Sequence, residues 1–208
     1  MKQNTSTTKP FPWLLIVLGV IFLAVAATVA FNFYLKRYPS WYEEVRLSDG
    51  RLITIHQKRE HFENYGTAQS WVTIDLPELG GEQVWHSYLM PQRVDVVDGQ
   101  VYVFGLPRGD RQYKAYKYPK NYMVAFKWSG STFERIPFLS VPLHIRTEEN
   151  IFPCIPSSFD RLLYAQKEVS WCEPIGDDKQ FGKKIPLEEY QALALRYSRR
   201  SGGLPISD

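Results

Sequence analysis

Two cysteines and four histidines in 208 residues leave little from which to build a metal centre. A structural zinc site takes four ligands, and no C-x-x-C or H-x-x-x-H spacing accompanies Cys154, Cys172, His56, His61, His86 or His144. Ser157 and Ser158 lack the G-x-S-x-G elbow, and neither cysteine sits in a nucleophile context. Gly80-Gly81 and the stretch Gly105 to Gly109 read as turns, because no G-K-[ST] follows either to cradle phosphate. No cofactor is expected. Charge of one sign is also scarce: the formal net charge is +3. The densest basic group, Arg196, Arg199 and Arg200, is explained by a solvated helix end, so no nucleic-acid footprint is expected.

Charge is missing altogether between Phe11 and Tyr34, where Leu14, Leu15, Ile16, Val17, Leu18, Val20, Ile21, Phe22, Leu23 and Val25 follow one another. As a helix rising about 1.5 Å per residue, this run spans a hydrocarbon core of about 30 Å. Trp13 stands at one end and Tyr34, Tyr38, Trp41 and Tyr42 at the other, with Lys36 and Arg37 placed to snorkel. The alternative is a cleaved secretory signal, with Lys2 and Lys9 as the basic region and Ala24 to Ala26 or Thr28 to Ala30 as the cleavage site. The run exceeds an ordinary signal core and has aromatics beyond it, which favours an uncleaved signal-anchor over 11–35 after a short tail at 1–10.

The lipid bilayer is therefore the first expected partner. Lys36, Arg37, Arg46 and Arg51 follow the helix closely and would by themselves hold the domain in the cytoplasm. Long domains translocate largely regardless of such charges, and the segment lies where a signal lies, so the domain is expected on the periplasmic side. The sequon Asn4-Thr5-Ser6 falls in the tail, which leaves the main domain without a glycosylation acceptor and favours a bacterial periplasm. In an oxidising compartment Cys154 and Cys172 read as one disulfide; in the cytoplasm they would be two reduced thiols.

After a connector at 36–41, about 170 residues remain, which suits one domain with its own core, over 42–208. A mean hydropathy of −0.31, with the apolar run included, makes that remainder water-soluble. Val45, Leu47, Ile53 and Ile55 share a face across a three-residue loop ending in Gly50. Lys58 to Gly66 is polar and aperiodic and reads as a loop. Ser70 to Leu76 and Gln83 to Leu89 follow as strands. Val94, Val96, Val101 and Val103 flank Asp98-Gly99 as a type I′ hairpin whose valines face one way, with Tyr102 and Phe104 opposed.

Pro107 to Pro119 reads as loop, and a third hairpin runs from Tyr122 to Trp128 and returns through Phe133 to Phe138. Three hairpins in series predict a mainly β domain, an antiparallel meander or sandwich with α+β as the variant. Ser157 to Asp160 resembles a capping box ahead of Leu162, Leu163 and Tyr164, which form a short helix or a strand. Pro186, Glu188 and Glu189 open a C-terminal amphipathic helix at about 186–200, with Leu187, Tyr190, Ala194 and Tyr197 as its apolar stripe.

Aromatics are plentiful at 15% of residues, with six tryptophans. Most belong in a core, but Trp71, Trp85, Tyr113, Tyr116 and Tyr118 are expected to offer a binding surface, since such side chains dominate interfaces. The strings VRLSDGRLITI (Val45 to Ile55), VDVVDGQVYVFG (Val94 to Gly105), YMVAFKWSG (Tyr122 to Gly130) and FERIPF (Phe133 to Phe138) resemble small uncharacterised proteobacterial proteins of the cell envelope. That resemblance implies a bacterial source and a membrane-anchored envelope protein; it implies no active site.

The expectation is a single-pass inner-membrane protein, more an interaction, accessory or immunity-type module with an envelope partner than an enzyme. The alternative is an envelope hydrolase whose acids or histidines converge only in the fold.

Overall fold

The uninterrupted apolar run forms one helix, α1 (Pro12–Arg37), in the computed structural model, which describes residues 12–62, 66–156, 160–167 and 184–201. Its 26 residues reach about 39 Å, and the segment Trp13–Arg37 is long and apolar enough to cross a membrane. Two of its polar side chains bond within the helix. Thr28 Oγ1 donates to the Ala24 carbonyl at 2.9 Å and Asn32 Nδ2 to the Thr28 carbonyl at 2.8 Å, which removes the cost of bare polar atoms in an apolar medium. The chain divides into two compact units, Met1–Arg37 and Tyr38–Asp208.

The second unit is built on two sheets. Strands β1 (Ser40–Arg46), β2 (Leu52–Phe62), β3 (Gly66–Leu76) and β4 (Gly81–Ser87) pair antiparallel in sequence order. Strands β5 (Met90–Val97), β6 (Gln100–Leu106), β7 (Val124–Trp128) and β8 (Phe133–Ile136) form the second sheet as a meander. A two-residue strand β9 (Arg161–Leu162) then adds in parallel to β1, so the first sheet has the order β4-β3-β2-β1-β9 and is mixed. Helices α2 (Asp110–Ala115), α3 (Tyr164–Lys167) and α4 (Leu187–Ser201) complete the described elements.

Local chemistry accounts for the turns. Asp98 and Gly99 both have positive φ, 50° and 71°, the pair that a type I′ turn needs to match strand twist. Gly50 at φ 87° closes the β1–β2 loop, with its N–H bonded to the Leu47 carbonyl at 3.0 Å. Two expected loops are structured. The polar stretch from Lys58 continues β2 to Phe62 and re-enters β3 at Gly66, because Arg59 and Glu60 find buried partners rather than water. Between Pro107 and Pro119 lies α2, whose Tyr113 anchors it in an apolar cluster.

Strand alternation divides the apolar residues between two clusters. Val45, Ile55, Val72, Ile74 and Trp85 of the first sheet meet Val94, Val96, Val101, Val103 and Val124 of the second. The opposite face of the second sheet, with Phe104, Met123 and Ala125, is covered by Tyr113, Phe138, Ile145 and Ala194. The stripe Leu187, Tyr190 and Tyr197 of α4 packs on that cluster, so the C-terminal helix covers the sheet as its amphipathic pattern requires. In the second sheet β5 and β6 are thus buried on both faces and β7 and β8 only in part, whereas the first sheet is buried on one face.

Two polar networks tie Asn150, Phe152, Pro153 and Lys167 to the sheets. The Asn150 side chain accepts from Val94 N–H at 3.0 Å and donates to the Arg46 and Val94 carbonyls at 3.0 and 2.7 Å, bridging β1 and β5. Buried Glu43 pairs with buried Lys167 at 2.5 Å and accepts the Phe152 N–H at 2.6 Å, while Gln57 and Trp41 Nε1 donate to its other oxygen. Arg59 lies over the Trp41 ring at 5.0 Å and donates to the carbonyls of Phe152 and Pro153 at 2.9 and 2.8 Å. Burial lowers Arg59 to about 10, opposed by the charge of Glu43.

Candidate interaction surface

Because the inward parity of β1–β4 is filled by the core, the other parity forms an open face. Register assembles it in rows. Tyr42, His56, Thr73 and Val84 lie side by side across four strands, and Ser40, Lys58, Trp71 and His86 form the next row. Tyr42, Val84 and Tyr88 are 53%, 46% and 51% exposed, large values for apolar or aromatic side chains on a sheet.

The rings are ordered by one another. Trp71 stacks on His86 at 4.7 Å with 5° between planes, and Tyr42 lies 4.9 Å from His56. Lys58 Nζ sits 5.2 Å from the Tyr38 ring and 5.5 Å from that of Trp71, within cation–π range. Beneath these rings runs a hydrogen-bond chain. Tyr38 OH donates to Glu60 Oε1 at 3.3 Å, Gln69 Nε2 donates to Glu60 Oε2 at 2.7 Å, and His86 Nε2 bonds Gln69 Oε1 at 2.8 Å. Since the amide oxygen only accepts, His86 carries its proton on Nε2.

Burial lowers the pKa of both His56 and His86 below 6.5; Lys58 pushes His56 the same way, and Glu82 opposes it. Both rings are therefore neutral at pH 7, which suits stacking. The folded state binds fewer protons than the unfolded chain below about pH 6.5, so stability falls as pH drops through that window. Proton-detected titration of the imidazoles should find His56 and His86 both below 6.5; midpoints at or above that value would contradict the partial desolvation of these two rings by their neighbours.

The five residues expected to form a surface do not come together. Trp71 lies on the open face. Trp85 and Tyr113 are fully buried, Trp85 in the core between the sheets and Tyr113 under α4, which corrects the expectation that they are exposed. Tyr116 packs against the inter-sheet core with its hydroxyl 2.5 Å from Ser87 Oγ, and Tyr118 packs edge-on to Tyr113 at 5.4 Å. Tyr42, Lys58, His86 and Tyr88 were not expected from sequence to form this surface. Their signal is parity, since each alternates with a core residue.

Elsewhere the chemistry is self-contained. A depression of about 330 Å³ lies between Ser48, Asp49 and Arg51, the Val97 to Gly99 turn and His144. Its Arg51 is already bound to Asp49 at 2.7 Å and to Glu78 at 2.8 Å. Asp95 accepts from Arg93 at 2.6 Å and from Ser48 Oγ at 2.9 Å. Among the described residues no group of three or more His, Cys, Asp or Glu is placed to hold a metal ion. His56, His61 and His86 lie on β2 and β4, and His144 lies in a separate 3-10 turn. Cys154 borders the Trp41, Phe152 and Leu162 cluster, and Cys172 lies outside the described residues.

Comparison with protein-family models, with curated proteins and with solved structures returned no match. The resemblance to proteobacterial envelope proteins therefore adds nothing to this geometry.

Proposed function

We propose that this protein is a membrane-anchored, non-catalytic interaction module that presents the open face of its first sheet to an envelope partner. One observation carries the reading: β5 and β6 of the second sheet are covered on both sides, whereas the first sheet leaves Tyr42, Val84, His86 and Tyr88 exposed on a face ordered by stacking. Tyrosine and tryptophan offer large contact area at low entropic cost, which is what a protein-binding surface uses. The buried charges support the same reading. Glu43 with Lys167, and Asp95 with Arg93, are spent on internal pairing.

In this reading α1 is an uncleaved signal-anchor in a bacterial inner membrane, the domain is periplasmic, and Cys154 pairs with Cys172. Confinement beside the membrane raises the effective concentration of the face toward membrane neighbours, which suits an accessory or immunity-type subunit.

Photo-crosslinking from position 42 or 84 in intact cells tests the binding role. A discrete adduct is expected there and none from position 98 on the opposite turn; equal, diffuse labelling at all three would sink it. A phosphatase reporter fused after Asp208 should be active, and both cysteines should resist alkylation until reduced. An inactive fusion with readily alkylated cysteines would place the domain in the cytoplasm.

A further inference from the structure

We propose that the outer edge of β4 pairs with the same edge of a second copy of this chain, antiparallel, with Val84 on the two-fold axis. The direction in which β4 turns its main-chain groups follows from strand to strand. Tyr42 N–H donates to the Asp160 carbonyl at 2.8 Å, so Tyr42 turns its N–H and C=O away from β2. Opposed residues of an antiparallel pair turn both toward each other or both away, and the sense alternates along each strand. His56, opposite Tyr42, therefore turns toward β3, where it meets Thr73. Val72 and Ile74, on either side of Thr73, turn the other way, to Trp85 and Gln83 of β4. The residues that alternate with those two, Glu82, Val84 and His86, point their N–H and C=O groups out of the sheet. Among the described residues none of these outward groups has a hydrogen-bond partner.

The other edges are closed or guarded. Strand β9 pairs with β1, and on β5 the N–H groups of Asn150 and Ile151 both donate to the Gln92 carbonyl at 3.1 Å. Strand β8 is open but has only four residues, carries Glu134 and Arg135, and stops at Pro137. Short length, charge and proline are what keep an edge from pairing. Strand β4 has none of these in full: it runs for seven residues, Gly81–Ser87, without proline or lysine, and Glu82 is its one charged residue at neutral pH.

This edge is its own complement. With Val84 opposite Val84, Glu82 of one copy lies opposite His86 of the other, and each outward N–H meets an outward C=O. The two Glu82 carboxylates sit at opposite ends of the pairing, so no like charges oppose each other, and the half-exposed Val84 side chains form a β-branched cross-strand pair. A two-fold contact uses the same patch on both copies, so assembly stops at a dimer. The contact at Val84 is lateral. The face offered to an envelope partner stays uncovered and continues from one copy to the next.

The test uses the full chain purified in neutral detergent micelles, so that no envelope partner is present and the result bears on this pairing alone. Sedimentation at matched solvent density should give a protein mass about twice 24.2 kDa, falling to that of one chain on dilution. Hydrogen–deuterium exchange at the Glu82, Val84 and His86 amides should be slow in the dimer and lose its protection as the dimer dissociates. Val84→Lys leaves the main chain in place and sets two like charges against each other at the axis. It should sediment as one chain and exchange fast at all three amides, while the Gln83 and Trp85 amides, which face β3, stay protected and report an intact fold. Should that variant lose protection at Gln83 and Trp85 as well, the wild-type dilution series decides. A wild-type chain that sediments as a monomer at every concentration overturns the pairing. So does a wild-type dimer whose three outward amides exchange no more slowly than in the diluted monomer.

Discussion

Replacing Glu43 by alanine is expected to destabilise the domain by about 3–5 kcal/mol, the cost of leaving a buried charge without its partner. Lys167 is as deeply buried as Glu43, and it also donates to the Asn150 carbonyl at 2.8 Å. The Phe152 N–H and the Gln57 and Trp41 donors lose their acceptor in the same step. Urea unfolding followed by circular dichroism gives the number. The double variant Glu43→Ala with Lys167→Ala should cost less than the sum of the single changes, because each single change strands the other group.

The pH dependence provides a second reading of that pair. Burial lowers Lys167 below its ordinary value, and Glu43 works against that shift. Without Glu43 the folded-state pKa falls further, so the folded variant binds fewer protons than the unfolded chain up to about pH 10.4. Stability under that linkage rises with pH. The deficit of Glu43→Ala relative to wild type should therefore narrow between about pH 7 and pH 10. A deficit that stays constant or widens would show that Lys167 is not confined in the apolar environment described.

Trp85→Ala should cost about 3–5 kcal/mol, whereas Trp71→Ala should cost about 1 kcal/mol or less. The two tryptophans sit in adjacent strands, yet Trp85 is fully enclosed and edge-packed on Phe126 at 5.8 Å, while Trp71 lies on the open face. Trp85→Phe should recover most of the loss. Among the described residues the Trp85 indole N–H has no hydrogen-bond partner, so phenylalanine removes an unsatisfied donor along with part of the ring. Thermal unfolding of the three variants distinguishes core from surface directly. Equal destabilisation by Trp71→Ala and Trp85→Ala would mean that the open face is covered.

Much of the architecture was legible because it depends on short-range pattern. The apolar run specifies α1 by length alone. Asp98-Gly99 specifies its turn because few residue pairs accept positive φ in succession, and the flanking valines specify a face because side chains alternate along a strand. The stripe of α4 is legible for the same reason, with a helical period in place of the strand period. Each of these signals is complete within a single helix or hairpin.

What sequence could not decide was which parity of the first sheet faces inward, and with it the location of the open face. Trp71 alternates with Val72 in β3, and Trp85 with His86 in β4, so both parities carry large rings and hydropathy alone does not rank them. Cross-strand register decides: Val72 pairs with Trp85 and joins the valines of the second sheet, and Trp71 pairs with His86 on the other side. The polar residues of β2 were misread as a loop for a related reason. Arg59 and Glu43 belong inside only because Phe152 and Lys167, drawn from distant parts of the chain, join Gln57 in supplying the bonds that make their burial tolerable. Periodicity reports how each strand divides its side chains between two faces; the choice between those faces is made by what the rest of the chain brings to cover them.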